Sequence, residues 1–145
     1  MGYELIPAAS ISSSGLKAER MRMEVAANNI ANAQATSKDG KNLYQRKIAV
    51  FESVLKDQFS RNSESSLGGV RVMEIAHSNR PPVEIYNPSH PHADEKGMLK
   101  KPNVSPLEEM VDMMTATRAY EANLTIMKQS KEMAKKMIGL AGGGQ

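Results

Sequence analysis

The sequence predicts an α+β protein: a long helix at each end of the chain, the two paired antiparallel in a coiled-coil-like manner, with a small β-rich insert between them. Three observations carry this. Apolar and small residues recur at helical spacing from residue 8 to about residue 33. The same spacing returns after Ser105, behind a capping signal, and holds to Ile138. Between them the pattern changes to short β-branched and aromatic runs, broken by Pro, Gly, Asn and Ser. The expected divisions are therefore 1–35 and 105–145 for the helical part and 36–104 for the insert.

In the first segment, a wheel at 100° per residue puts Ile11, Gly15, Ala18, Met21 and Val25 on one stripe. Leu16, Met23, Ala27 and Ile30 form a second stripe beside it, and Lys17, Arg20 and Glu24 take the remaining face. The wide apolar arc is built from small side chains, which let another helix approach closely. The run Val25–Thr36, VAANNIANAQAT, then fills with asparagine as the helix ends. Asn is a mediocre helix former because its amide competes for backbone groups. Near a helix end that becomes useful, since the amide can satisfy orphan groups of its own or a neighbouring chain.

Ser37–Asn42 has turn composition, and Leu43–Phe51 reads as a strand. Glu52–Phe59 fits a short helical extension, and Arg61–Gly69 a mobile loop. Val70–Ile75 and Val83–Tyr86 read as two further strands, separated by Arg80-Pro81-Pro82, where the prolines mark an edge or crossover. Asn87–Asn103 reads as irregular loop.

The last segment opens with Ser105-Pro106-Leu107-Glu108, a capping box with Pro at the first helical position. The helix is expected to end at a Gly139 C-cap, a span of about 50 Å. Met110, Met113, Thr117, Tyr120, Leu124, Met127, Lys131, Ala134 and Ile138 follow a three-four spacing. Acidic residues crowd its start and Lys131, Lys135 and Lys136 its end, as the helix dipole favours.

Composition limits how such a chain can bury itself. Leu, Ile, Val and Phe total 27 of 145 residues, with no Trp, while 11 Met supply soft, adaptable volume. A two-helix hairpin cannot cover a wide apolar arc on both members, so the surplus is expected to be covered by other copies of a similar subunit. The residues expected at subunit contacts are Ile11, Ala18, Val25, Asn28, Asn29, Ile30 and Asn32 on the first helix. On the last helix they are Met110, Met113, Arg118, Tyr120, Glu121, Asn123, Leu124 and Met127.

Several function classes lose support. The chain has no cysteine, hence no disulfide or thiolate chemistry. No nucleophile–base set, phosphate loop or paired-carboxylate site stands out, so neither enzymatic activity nor a cofactor is expected. His90, His92 and Asp94 have the donor types of a zinc site, but Pro91 makes the geometry awkward, and a contact loop is the expected role. The net charge of +3 is spread without interleaved aromatics, which argues against nucleic acid. No stretch approaches the ~20 apolar residues of a membrane span, so direct membrane insertion is not expected. The first residues contain no apolar run of signal-peptide length, and Ile6 breaks the myristoylation pattern.

Three segments together resemble one family. ANNIANAQAT after an N-terminal helix and VSPLEEMVDMMTATRAYEANLTIMKQSKEM near the C-terminus are similar to the terminal signatures of the flagellar axial proteins, the rod and hook group. The run PPVEIYNPSHPHADEKGMLKKPNV resembles the short rod members of that group. Three departures are visible. No Pro-Gly-Tyr follows Thr36, His92 stands where an acidic residue is more usual, and residues 53–68 lie outside the resemblance, their role open. The resemblance implies a structural subunit of the basal-body rod, the proximal drive shaft, assembled helically with copies of itself and other rod proteins. It implies contacts with the inner-membrane ring, rod-adaptor proteins and the flagellar type III export apparatus. It also implies export into the periplasmic space without a cleaved signal peptide, with the end helices as an inner tube and the insert outside. The alternative from a different class is a small coiled-coil binding or export-adaptor module.

Overall fold

The computed structural model describes residues 7–37, 42–54 and 68–142. Helix α1 spans Pro7–Asn32 and helix α2 spans Pro106–Gly142. Between them lie strands β1 (Lys47–Val54), β2 (Gly69–His77), β3 (Val83–Tyr86) and β4 (Met98–Lys101). β1 pairs with β2 and β3 with β4, both antiparallel, as two separate two-stranded sheets. The α+β class, with a long helix at each end and a small antiparallel β insert between them, is as the sequence indicates.

The two helices run antiparallel, as their contacts show in sequence. Asn29 meets Glu109, Arg22 meets Asp112, Met23 meets Thr117, and Gly15 meets Asn123. Small residues fill the seam: Ser12, Ala18, Val25 and Ala26 are buried on α1, and Ala116 and Ser130 on α2. At Gly15 a Cβ would lie 3.0 Å from the Asn123 amide, so the missing side chain sets how closely the helices approach.

The inward residues of α2 correct the stripe read from the sequence. Met113, Tyr120, Leu124, Met127 and Ala134 are at least half-buried as expected, but Met110, Thr117, Lys131 and Ile138 are exposed. Their places are taken by Glu109, Ala116, Asn123 and Ser130, each seven residues after the last. Close approach selects small or hydrogen-bonded side chains there, and a hydropathy criterion passes over them.

The C-terminal boundary also shifts. Gly139 does not end α2, because it keeps a helical backbone; Gly97 is the only described glycine with positive φ. The capping box is half formed. The Glu108 amide lies 3.5 Å from the Ser105 hydroxyl, but the Glu108 carboxylate does not reach back and instead pairs with Arg80 at 3.2 Å.

The β1–β2 hairpin lies lengthwise on α1. At one end Lys47 is bonded to Asn29; at the other, the Val70 amide donates to the Ser14 hydroxyl at 3.1 Å. The lengths match: Ser14 to Asn29 is about 22 Å of helix, and β1 spans about 23 Å of strand. Met73 is an extra residue on β2, a bulge between the pairs Val50↔Glu74 and Phe51↔Val72.

The strand read at Leu43–Phe51 begins later and runs to Val54, so residues 52–54 are strand and not the start of a helical extension. Cross-strand pairing of Glu52, Ser53 and Val54 with Arg71, Val70 and Gly69 overrides their weak helical pattern. The rest of that extension lies outside the described residues, as do most of the turn at 37–42 and of the loop at 61–69. Within the segment read as irregular, Met98–Lys101 is a strand, held by pairing with Val83–Tyr86. Leu99 is buried there, between the half-buried Met98 and the exposed Lys100. No helix among the described residues is long and apolar enough to cross a membrane.

Candidate assembly surface and its polar anchor

The three asparagines of the VAANNIAN run do two different things. Asn28 and Asn32 turn back on their own helix, donating to the carbonyls of Glu24 and Asn28, each at 2.8 Å. Asn29, one position on, faces inward and is 0 % exposed. Its Nδ2 donates to the Lys47 carbonyl and to Glu109 Oε2, both at 2.8 Å. Its Oδ1 accepts from the Lys47 amide at 2.9 Å and the Tyr44 hydroxyl at 2.8 Å. All four hydrogen-bonding positions of the amide are filled.

Glu109, 1 % exposed, completes the anchor. Its second oxygen accepts from Arg46 Nε at 2.6 Å. A buried carboxylate persists only when paired and fully bonded, and here Asn29 and Arg46 take one oxygen each. Burial, and secondly the Glu109 charge, push the Tyr44 phenol above its ordinary value of 10.0. The end of α1, the start of β1 and the first turn of α2 thus meet in one knot of side chains.

A second polar contact lies farther along the seam. Arg22 donates through Nε to Asp112 Oδ2 at 3.2 Å and through Nη2 to Oδ1, a bidentate pair. Hydrogen bonding to Asp112 holds the guanidinium above its ordinary value, against the opposing effect of burial. Glu19 lies 3.7 Å from the same guanidinium, yet its Oε2 is cut off from water with no hydrogen-bond partner among the described residues.

Of the residues the sequence marks for subunit contacts, Ala18, Val25 and Asn29 are buried inside the chain. Ile30, Asn32, Met113, Tyr120, Asn123, Leu124 and Met127 are half-buried. Ile11, Asn28, Met110, Arg118 and Glu121 are exposed, and Arg118 and Glu121 form no ion pair with each other. Sequence reasoning missed Tyr44, Arg46 and Glu109. The seven-residue recurrence from Glu109 through Ala116 and Asn123 was the available signal.

Near its start the outer side of α2 exposes large apolar residues. Leu107 is 72 % exposed, Val111 56 % and Met114 59 %. This patch borders an open cleft of about 520 Å³ between α2 and the hairpin, lined by Val111, Ile48 and Phe51 together with charged residues that include Arg22, Arg46 and Asp112. An exposed apolar patch beside a mixed apolar and charged cleft is the kind of surface that associates.

His90, His92 and Asp94 do not converge. His90 Nδ1 accepts from the His92 amide at 3.1 Å, and His92 Nδ1 bonds the Thr36 hydroxyl at 2.8 Å. Asp94 Oδ1 accepts from the amides of Lys96 and Met98. No group of three ligand-type side chains able to hold a metal occurs among the described residues.

Comparison with known proteins agrees with this architecture. Residues 10–37 match the model of the flagella basal body rod protein family, and residues 95–140 match the C-terminal model of flagellar basal body rod FlgEFG proteins. The two matches cover most of α1 and nearly all of α2. The flagellar basal-body rod protein FlgC of Bacillus subtilis is 36 % identical, over 89 % of this chain and 93 % of its own length. The protein of that name from Borreliella burgdorferi is 34 % identical, over 96 % and 99 %. That from Escherichia coli O6:H1 is 36 % identical, over 90 % and 92 %. With relatives matched end to end at this level, the chain belongs to the FlgC family of flagellar basal-body rod proteins.

Proposed function

We propose that this chain is a structural subunit of the proximal part of the flagellar rod, and not an enzyme. It assembles helically with copies of itself and with other rod proteins. The helix pair packs coiled-coil-like into the inner wall, and the hairpins lie outside it. The observation that carries this reading is the exposed apolar face Leu107, Val111 and Met114, which borders the cleft beside β1. A lone chain leaves that face wet; a lattice of neighbours covers it.

The divisions 1–35, 36–104 and 105–145 then separate a tube-forming part from an outer part. The exposed members of the expected contact set, Ile11, Asn28, Met110, Arg118 and Glu121, meet neighbouring subunits. Neighbours at the base are the inner-membrane ring and its rod-adaptor proteins. The chain reaches the periplasmic space through the flagellar type III export apparatus. Its seam of small residues around one polar knot suits a polypeptide that travels unfolded and completes its burial on assembly. The export-adaptor alternative has no support once the match to rod proteins extends over about nine-tenths of the chain.

The test is complementation. A doubly substituted chain, Val111→Glu with Met114→Glu, changes only exposed positions and retains its helix content by circular dichroism. It is expected to be absent from isolated basal bodies and to leave a strain lacking its own copy non-motile. Normal incorporation and swimming of that variant would overturn the proposal.

A further inference from the structure

One edge of the β1–β2 hairpin is left without a partner. Lys47 turns its amide and carbonyl to Asn29, away from β2, while the Arg46 carbonyl accepts from the Ser78 amide on the ladder side at 2.8 Å. Backbone groups alternate in direction along an antiparallel strand. The bulge at Met73 lies on β2, so the alternation of β1 runs through it undisturbed. The amides and carbonyls of Ala49 and Phe51 therefore point to the same free edge as those of Lys47. No described residue outside the hairpin bonds them.

This edge opens on the cleft against α2. Ala49 and Phe51 line the cleft, as do Val111 and Thr115 of α2, and no Cα of α2 comes within 8 Å of one in β1. A paired strand sits about 4.8 Å from its neighbour, so the edge has room for one. Elsewhere the hairpin edges are blocked. Ser14 covers the β2 edge at Val70, and Asn29 stops the β1 edge at Lys47. Beyond Lys47, β1 carries neither Pro nor Lys, the residues that commonly guard an edge against strand addition.

We propose, resting on the rod-subunit reading, that β1 takes up a further strand from a second copy of this chain: that copy's Gly2–Ile6, paired along Ala49–Ser53. Among the segments outside the described residues, 38–41 and 143–145 are polar or glycine, and 55–67 is mostly charged, Ser, Asn and Gln. Residues 2–6, GYELI, instead alternate Tyr3 and Leu5 with Glu4, the pattern of a strand with one apolar face. Pro7 follows, with no amide to carry the ladder further. Five residues match the five of Ala49–Ser53. Lys47 lines the cleft and has no ion pair among the described residues, so it offers Glu4 a counter-charge. The occupant comes from another copy because of reach. From Pro7 to Arg22, which lines the cleft, α1 runs about 22 Å. Residues 2–6 fully extended span about 17 Å, too short to lie along their own cleft.

Hydrogen exchange of the full chain, read at the Ala49 and Phe51 amides, tests this. With an excess of a synthetic peptide of residues 1–7, protection of both amides is expected to rise roughly tenfold, the worth of one hydrogen bond. The same peptide with Leu5→Pro, which cannot lie as a regular strand, is expected to leave them unchanged. Ala49→Pro removes only an outward N–H at an edge position, where proline is tolerated. That variant is expected to keep its circular dichroism, to lose the response at Phe51 and to be missing from basal bodies, while Ala49→Thr behaves as wild type. Amides of Ala49 and Phe51 that ignore the peptide, or that respond equally to both peptides, would overturn the pairing. Protection of the two amides in isolated basal bodies that survives deletion of residues 2–6 would overturn the choice of occupant, giving the edge to a different subunit. The rod reading is tested apart from this. An Ala49→Pro strain that swims, beside a non-motile Val111→Glu, Met114→Glu strain, would sink the added strand and leave the rod subunit standing.

Discussion

Asn29 of α1 and Lys47 of β1 exchange two hydrogen bonds, amide nitrogen to carbonyl and amide N–H to side-chain oxygen, at 2.8 and 2.9 Å. This is the exchange by which neighbouring strand residues pair, performed by one side chain of a helix. The asparagine extends the sheet edge onto the helix surface and ties in α2 through Glu109.

Replacing Asn29 by Ala strands several partners at once: the buried Glu109 loses a donor to one oxygen, and the half-buried Lys47 amide and carbonyl and Tyr44 hydroxyl lose theirs. Each unsatisfied group costs about 1–3 kcal/mol, so Asn29→Ala is expected to lose at least about 2 kcal/mol. Asn28→Ala removes an exposed back-bond and is expected to change stability by less than about 0.5 kcal/mol. Urea denaturation of the purified chains compares the two directly.

The anchor responds to alkali. The folded Tyr44 phenol is held above its ordinary value of 10.0 by burial and then by Glu109. A raised folded value favours the protonated form. Its contribution is therefore complete below the unfolded value and is lost as pH rises through the folded one. Stability is expected to decline above about pH 10 partly through Tyr44, and Tyr44→Phe should remove that share. Ultraviolet titration of the phenol together with melting curves measures both.

Two carboxylates beside Arg22 are expected to behave differently. Asp112→Asn breaks a bidentate pair and is expected to cost about 1–3 kcal/mol. Glu19→Gln removes charge from a carboxylate with a dry, unbonded oxygen, and is expected to be neutral or stabilising by up to about 1 kcal/mol. Equal losses in the two variants, measured by chemical denaturation, would contradict this assignment.

Gly97 is the third point of vulnerability. Its φ is +74°, and an added Cβ would lie 3.0 Å from both the Tyr86 ring and Pro88. Left-handed backbone costs an L-residue about 1–2 kcal/mol, and the contact adds to it. Gly97→Ala is expected to increase proteolytic cleavage within Asn87–Lys96 while leaving helix content unchanged by circular dichroism.

Much of this architecture was legible in the sequence. Helical spacing of small and apolar residues located α1 and α2 although both are only weakly amphipathic, and the Val83–Tyr86 strand matched in full. What escaped follows from the physics of the contacts. Helix pairing at close range uses Ala, Ser, Asn and Gly, so the true seam of α2 is nearly invisible to hydropathy, whereas its apolar neighbours Met110 and Ile138 lie in water. Glu109 looked like a first-turn acid placed for the helix dipole; its burial depends on Asn29 and Arg46, far away in sequence. β4 was hidden because short strands defined by pairing carry little intrinsic signal. The family signatures pointed to Asn29 as one of a group, and only the three-dimensional arrangement separates it from Asn28 and Asn32.

The β-ribbon fastened to α1 at both Ser14 and Asn29 has a mechanical consequence. A rod that turns loads its wall in torsion, and a bare helix yields by bending and twisting. A splint pinned to one helix at two stations, about 22 Å apart, opposes that deformation through its own ladder of backbone hydrogen bonds. Loosening either pin by mutation should leave a shaft that still assembles yet winds up under torque before it delivers rotation.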